Sequence, residues 1–154
     1  MITATLAHIP RKPHSEFEWE DLLVRLELMP RALRITLEAI EGDLAGLSDV
    51  LNEVAERERV VGRLLEVPAA AAELEVPSLR PPASTGEVLE RFVRLRARNF
   101  AMVQRRGLEV WEWEATLEDG SRVTVHQLLA HLVHEDVAAL AAIRRLTAAG
   151  TGAC

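Results

Sequence analysis

The stretch HQLLAHLVHEDVAALAAIRRL, residues 126–146, carries three histidines and two acidic residues inside one helical pattern. Its apolar residues recur at the three- and four-residue steps of an α-helix, and Thr124 followed by Gln127 makes a capping box at its start. The helix is expected to run to about residue 147. Projection at about 100° per residue puts Val125, Leu128, Leu129, Leu132, Leu140, Ile143 and Leu146 on one stripe. Asp136 falls in the middle of that stripe, Ala139 inside it and Glu135 at its flank. His134 lies opposite the stripe and His131 well outside its middle. Both histidines therefore read as solvated surface groups, and the His-x-x-His spacing as a weak zinc signal.

Three more amphipathic segments precede it. The first spans about residues 19–40, and Pro30 is expected to kink or restart it. The second opens near Leu47, with Ser48 as N-cap and Asp49 in the first turn. A segment broken by Pro68, Pro77, Pro81 and Pro82 follows and reads as a loop. The third opens on a Ser84–Glu87 capping box and runs to about residue 106, before Gly107. Between it and the last helix, LEVWEWEATLEDGSRV (108–123) alternates and contains a turn-like Asp119-Gly120, which suggests a small hairpin. Trp111 and Trp113, two apart, would share one side of an extended segment, over the bundle end, in a pocket or at a dimer contact. The fold expected is all-α, an antiparallel four-helix bundle with a long excursion before the last helix. It forms a single domain over 1–154, with its core at about 17–147 and a flexible tail at 148–154.

Composition narrows the function. The 154 residues carry a net charge of −6, and Lys12 is the only lysine among basic residues interleaved with glutamate. That balance argues against nucleic acid or an anionic membrane as partner. No segment approaches the roughly 20 apolar residues of a membrane span. Cys154 is the only cysteine, so a reducing, cytoplasmic setting is expected, and its place behind a small-residue tail argues against catalysis. No Ser-His-Asp spacing is legible.

Several polar residues project inward. Arg96 and Asn99 lie within the stripe of Val88, Leu89, Phe92, Leu95 and Val103. Arg57 lies within the stripe of Val50, Val54, Val61 and Leu64, with Glu53 at its edge. Buried charge is costly unless paired, so Glu53, Arg57, Arg96, Asn99, Glu135 and Asp136 are expected to meet in the interior. The alternative is that the arginines reach outward to solvent and Asp136 alone is buried.

Three stretches, DVLNEVAERERV (49–60), GEVLERFVRLRARNFAMV (86–103) and GSRVTVHQLLAHLVHEDVAALAAIRRL (120–146), together resemble the DinB/YfiT-like metalloenzyme family, over about residues 20–146. The resemblance implies a four-helix bundle, often dimeric. Many members hold nickel or zinc with three histidines, one in an E-x-L-x-H-L pattern on helix two and two in H-D-x-x-H-L-x-x-I on helix four. Some are transferases or isomerases that activate a low-molecular-weight thiol such as mycothiol, bacillithiol or glutathione. Aligned on those patterns, Glu53, Glu135 and Ala139 stand where the family has its three histidines. Alanine supplies no ligand, and two carboxylates suit a hard cation better than nickel or zinc. The helix thus reads as the remains of a metal site, its charge balance taken over by Arg57 and Arg96. The expected function is a metal-independent ligand-binding or interaction module without cofactor. Its expected partners are a small polar ligand and, by resemblance, a second copy in a homodimer. The alternative is a thiol-dependent transferase or isomerase with a carboxylate-based divalent metal at Glu53 and Glu135. A metal-free enzyme would instead need Glu53, Glu135 or Asp136 as general acid or base.

Overall fold

The computed structural model describes residues 6–66 and 84–151. The proline-broken loop and Cys154 lie outside the described residues. Helix α1, Glu16–Glu38, starts earlier than the apolar periodicity suggests because Ser15 caps it: the Ser15 hydroxyl accepts from the Glu18 N–H at 3.1 Å. The Glu18 carboxylate in turn accepts from the His14 N–H at 2.8 Å. Helix α2, Leu47–Glu66, begins one residue before the expected cap, so Ser48 sits in its first turn. Gly46 occupies the entry instead; its φ of 85° is a left-handed turn open to glycine, and its carbonyl accepts from Val50 N–H at 3.2 Å.

Helix α3, Thr85–Arg105, carries the Ser84–Glu87 capping box in both directions. A 3₁₀ helix at Leu108–Glu112 replaces the first half of the expected hairpin. The hairpin itself is short: β1, Glu114–Thr116, pairs antiparallel with β2, Arg122–Thr124, around the Asp119-Gly120 turn. Because 108–112 coils, the two tryptophans do not share a side. Trp111 packs edge-on against Trp19 at 5.6 Å, and Trp113 lies under the Arg106 guanidinium at 4.2 Å. Helix α4, Val125–Thr151, opens on the Thr124–Gln127 box and continues past the expected end into residues 148–151.

The four helices form a bundle in which α1 and α2 are each packed against both α3 and α4. The antiparallel relation holds between α1 and α3, where Arg34 meets Glu90 and Leu26 meets Arg96. It holds between α2 and α4 as well, where Gly46 lies against Leu146 and Arg57 meets Glu135. By contrast α2 and α3 run in the same direction, since Glu56 meets Arg91 near their starts and Arg106 reaches the Leu65 carbonyl near their ends. Likewise α1 and α4 run together, with Trp19 beside His126.

Two apolar clusters fill the bundle. One contains Trp19, Leu22, Leu26, Val61, Leu64, Val103 and Leu132 at the hairpin end. The other contains Met29, Leu33, Leu51, Val54, Phe92, Ala139 and Ile143 at the far end. On α2, α3 and α4 the residues between them are polar: Glu58, then Arg96 and Asn99, then Asp136, each at most 7% exposed.

A close helix approach sits at the same level. A Cβ added at Gly62 would come within 2.4 Å of the Asn99 side-chain oxygen. Replacing glycine by alanine inside a helix ordinarily stabilises by about 0.5–1 kcal/mol. Here the sign should reverse, with Gly62→Ala losing about 1–3 kcal/mol in urea unfolding as Asn99 is displaced. Most of that loss should disappear in a background of Asn99→Ala; a stabilising Gly62→Ala would contradict the close approach.

Candidate functional site

The interior polar layer is built on Arg96. Its Nη1 and Nη2 donate to the two oxygens of Asp136, both at 3.0 Å, in a bidentate pair. Its Nε lies 3.0 Å from a Glu58 carboxylate oxygen. Nη1 also donates to the Leu26 carbonyl at 2.9 Å. That carbonyl is available for a definite reason. In an α-helix it would accept from the N–H four residues on, but position 30 is proline and has none. Helix α1 runs through Pro30, and the acceptor left over is taken by Arg96. Asn99 completes the layer, its Nδ2 donating to the Glu58 backbone and side-chain oxygens, both at 2.9 Å. The Phe92 ring packs against the guanidinium at 5.0 Å.

One guanidinium between two carboxylates leaves an excess negative charge when both are ionised. Burial pushes the Asp136 carboxyl up to about 6, against the pull of Arg96 and with the help of Glu58. Burial also acts to lower the Arg96 pKa, but the two carboxylates outweigh it and the net shift is upward.

Of the residues expected in the interior, the structure brings Arg96, Asn99 and Asp136 together and leaves Glu53 out: it is exposed on the outer side of α2. Arg57 and Glu135 pair with each other at 3.2 Å, half-buried at the rim between α2 and α4. Ala139 is buried in the far apolar cluster. The carboxylate that does enter the layer is Glu58, fully buried. A signal for it was present: Leu51, Ala55, Gly62 and Leu65 widen the α2 stripe beyond its valines and centre it close to Glu58.

The histidines divide differently from expectation. His134 is exposed, but His131 is only 2% exposed, because α4 is flanked by both α1 and α2 and its buried arc is wider than one stripe. Neither ring nitrogen of His131 has a hydrogen-bond partner. Burial lowers its pKa, with Arg57 and His134 acting in the same direction against Glu135. His126 is structural: its Nδ1 donates to the Pro10 carbonyl at 2.8 Å. Gln127 beside it donates to the carbonyls of Leu6 and Ile9, pinning the N-terminal segment to the start of α4.

Among the described residues no three His, Cys, Asp or Glu side chains gather closely enough to hold a metal ion. The donor set at the positions aligned with the family triad does not fit one: an exposed glutamate, a glutamate paired to arginine, and a methyl group. A void of about 10 Å³ lies beside Glu58, Arg96 and Asn99, lined otherwise by apolar side chains such as Leu26, Phe100 and Leu132. That is about the least space one water needs. No helix among the described residues is long and apolar enough to cross a membrane. No family model matches the chain, and neither curated proteins nor solved structures give a match.

Removing the cation alone should be far worse than removing the layer. Arg96→Met should cost about 3–5 kcal/mol in chemical denaturation, because two carboxylates stay buried without their partner. The triple change Arg96→Met, Glu58→Leu and Asp136→Leu should recover most of that loss; equal destabilisation of the two proteins would refute a charge-matched layer.

The two shifted groups make opposite contributions to acid stability. The folded pKa of Asp136 is raised, so its contribution is fully present below about pH 4 and is lost as pH rises through about 6. The folded pKa of His131 is lowered, so folding is disfavoured as pH falls below the ordinary histidine value near 6.5. In melts across pH 4–7, Asp136→Asn should lose stability relative to wild type most at the acid end. His131→Leu should gain most at the acid end.

Proposed function

We propose that this protein is a DinB-like bundle whose interior ion-pair layer stands in place of the family's metal, and that it works as a metal-independent interaction module. The observation that carries this is the Arg96 guanidinium held between Glu58 and Asp136, with Leu26 and Asn99 supplying the remaining bonds. A cation in a bundle interior balances carboxylates and fixes helix positions; a buried arginine does both without an exchangeable ligand. The void of about 10 Å³ beside it is about the space of one water, too small for a thiol cofactor or a small polar substrate at that place. The net charge of −6 and the single cysteine suit a cytoplasmic protein whose partner is another protein rather than nucleic acid.

Elemental analysis of protein purified without chelator should find nickel, zinc and manganese far below one per chain. The melting temperature should not move when each metal is added in excess, since a ligand that does not bind the folded state cannot stabilise it. Near-stoichiometric metal, or a rise in melting temperature together with thiol-conjugating activity, would overturn the proposal in favour of a carboxylate-based transferase.

A further inference from the structure

The residues before α1 form a strap across the hairpin end of the bundle. Leu6 is 1% exposed and belongs to the apolar cluster there; Ile9, half-buried, packs against the same cluster. Four further contacts read the strap's main chain. Gln127 Nε2 donates to the Leu6 and Ile9 carbonyls at 3.2 and 3.0 Å, and His126 Nδ1 donates to the Pro10 carbonyl at 2.8 Å. The Thr124 hydroxyl donates to the Arg11 carbonyl at 2.5 Å. The Arg11 guanidinium pairs with Glu114 and donates to the Arg122 carbonyl at 3.3 Å. Ala7, His8, Pro10 and Lys12 are exposed.

Side-chain donors aimed at successive carbonyls, an apolar socket for one leucine and a carboxylate for one basic residue are the parts of a peptide cleft. Proline suits position 10, since it has no N–H to satisfy and its fixed φ lowers the entropy lost on docking. Gln127 serves two purposes. Its Oε1 accepts from the Thr124 N–H at 3.0 Å in the capping box, while its Nε2 serves the strap. Glutamate caps a helix equally well at that position but has no N–H to offer, so glutamine at 127 answers to the strap rather than to the cap.

We propose that the start of α4 and the hairpin form a peptide-binding cleft, occupied here by the chain's own residues 6–11. A partner protein displaces this strap with a segment of the same chemistry: apolar-x-x-apolar-Pro followed by a basic residue. The strap can leave while the helices stay folded. A few hydrogen bonds and one buried leucine are set against the ordering of six residues of backbone, and the two are of similar size. The cleft gives the interaction reading its partner and rests on it, but its test is separate: metal content does not enter the result.

Hydrogen exchange on the full wild-type chain should show residues 6–11 opening much faster than α1 to α4. The probe for binding is a fluorescently labelled peptide LAHIPRKP, the sequence of residues 6–13. In anisotropy titrations it should bind the full-length Leu6→Asp variant, whose strap has lost its anchor, at least tenfold more tightly than wild type. The tethered strap of wild type competes at an effective concentration of about millimolar. Ile9→Asp, at a half-buried position, should behave like Leu6→Asp and serves as the second release variant. Adding Gln127→Glu to either should abolish binding with the helical circular dichroism unchanged. A strap that exchanges only together with the helices would overturn the proposal. So would release variants that bind no peptide or bind it no better than wild type, or binding that survives Gln127→Glu.

Discussion

The structure turns on one guanidinium that must find partners in the middle of an apolar bundle. Arg96 is 3% exposed and cannot lose its charge, so its N–H donors have to be met within the protein. Each of the other three helices supplies one partner: the Leu26 carbonyl from α1 and Asp136 from α4 as hydrogen-bond acceptors, and Glu58 from α2 as an ion pair. The four helices are thereby held at a single height. A slip of one turn, about 5.4 Å, would leave the bidentate pair unmade and buried charge uncompensated. Apolar packing alone tolerates such slips far better, since leucine and valine layers are interchangeable along a bundle.

Two features that look like defects in isolation are explained by this layer. Proline in a helix interior normally costs a hydrogen bond and leaves a carbonyl without its donor. At Pro30 the abandoned carbonyl is the one that Arg96 uses, so the breaker on α1 is matched to a donor on α3. Glycine in a helix interior costs backbone entropy. At Gly62 the missing side chain makes room for Asn99, which then holds Glu58 by two bonds. Both residues trade local helix stability for the polar layer, and each makes sense only beside its partner on α3.

The layer also bears on the resemblance to histidine-ligated bundles. A divalent metal and an arginine both carry positive charge into a bundle core, but they ask for different surroundings. The metal needs three or four deprotonated donors converging on one point, whereas the planar guanidinium spreads its donors over several ångströms. The residues here suit the second case. The carboxylates of Glu58 and Asp136 lie on different edges of the guanidinium, while the positions aligned with the family ligands carry an exposed glutamate, a rim ion pair and a methyl group.

The sequence by itself determined the helices, their caps at Ser84 and Thr124, the turn at Asp119-Gly120, and the burial of Asp136. Those features depend on neighbours within a few residues or on one helix's own period. Whether Arg96 turned inward was open until its partners on three helices were in place. Tertiary structure decided the rest. Glu58 rather than Glu53 enters the core because α2 is covered by two helices and its buried arc extends past its valine stripe. For the same reason His131 is buried on α4, although its place on the helical projection suggested solvent. The shared direction of α2 and α3 was not legible either, since a capped amphipathic helix reads the same whichever way its neighbour points. Periodicity finds the most apolar line on a helix; the number of helices packed against it sets how far burial spreads, and their relative height sets which buried charges meet.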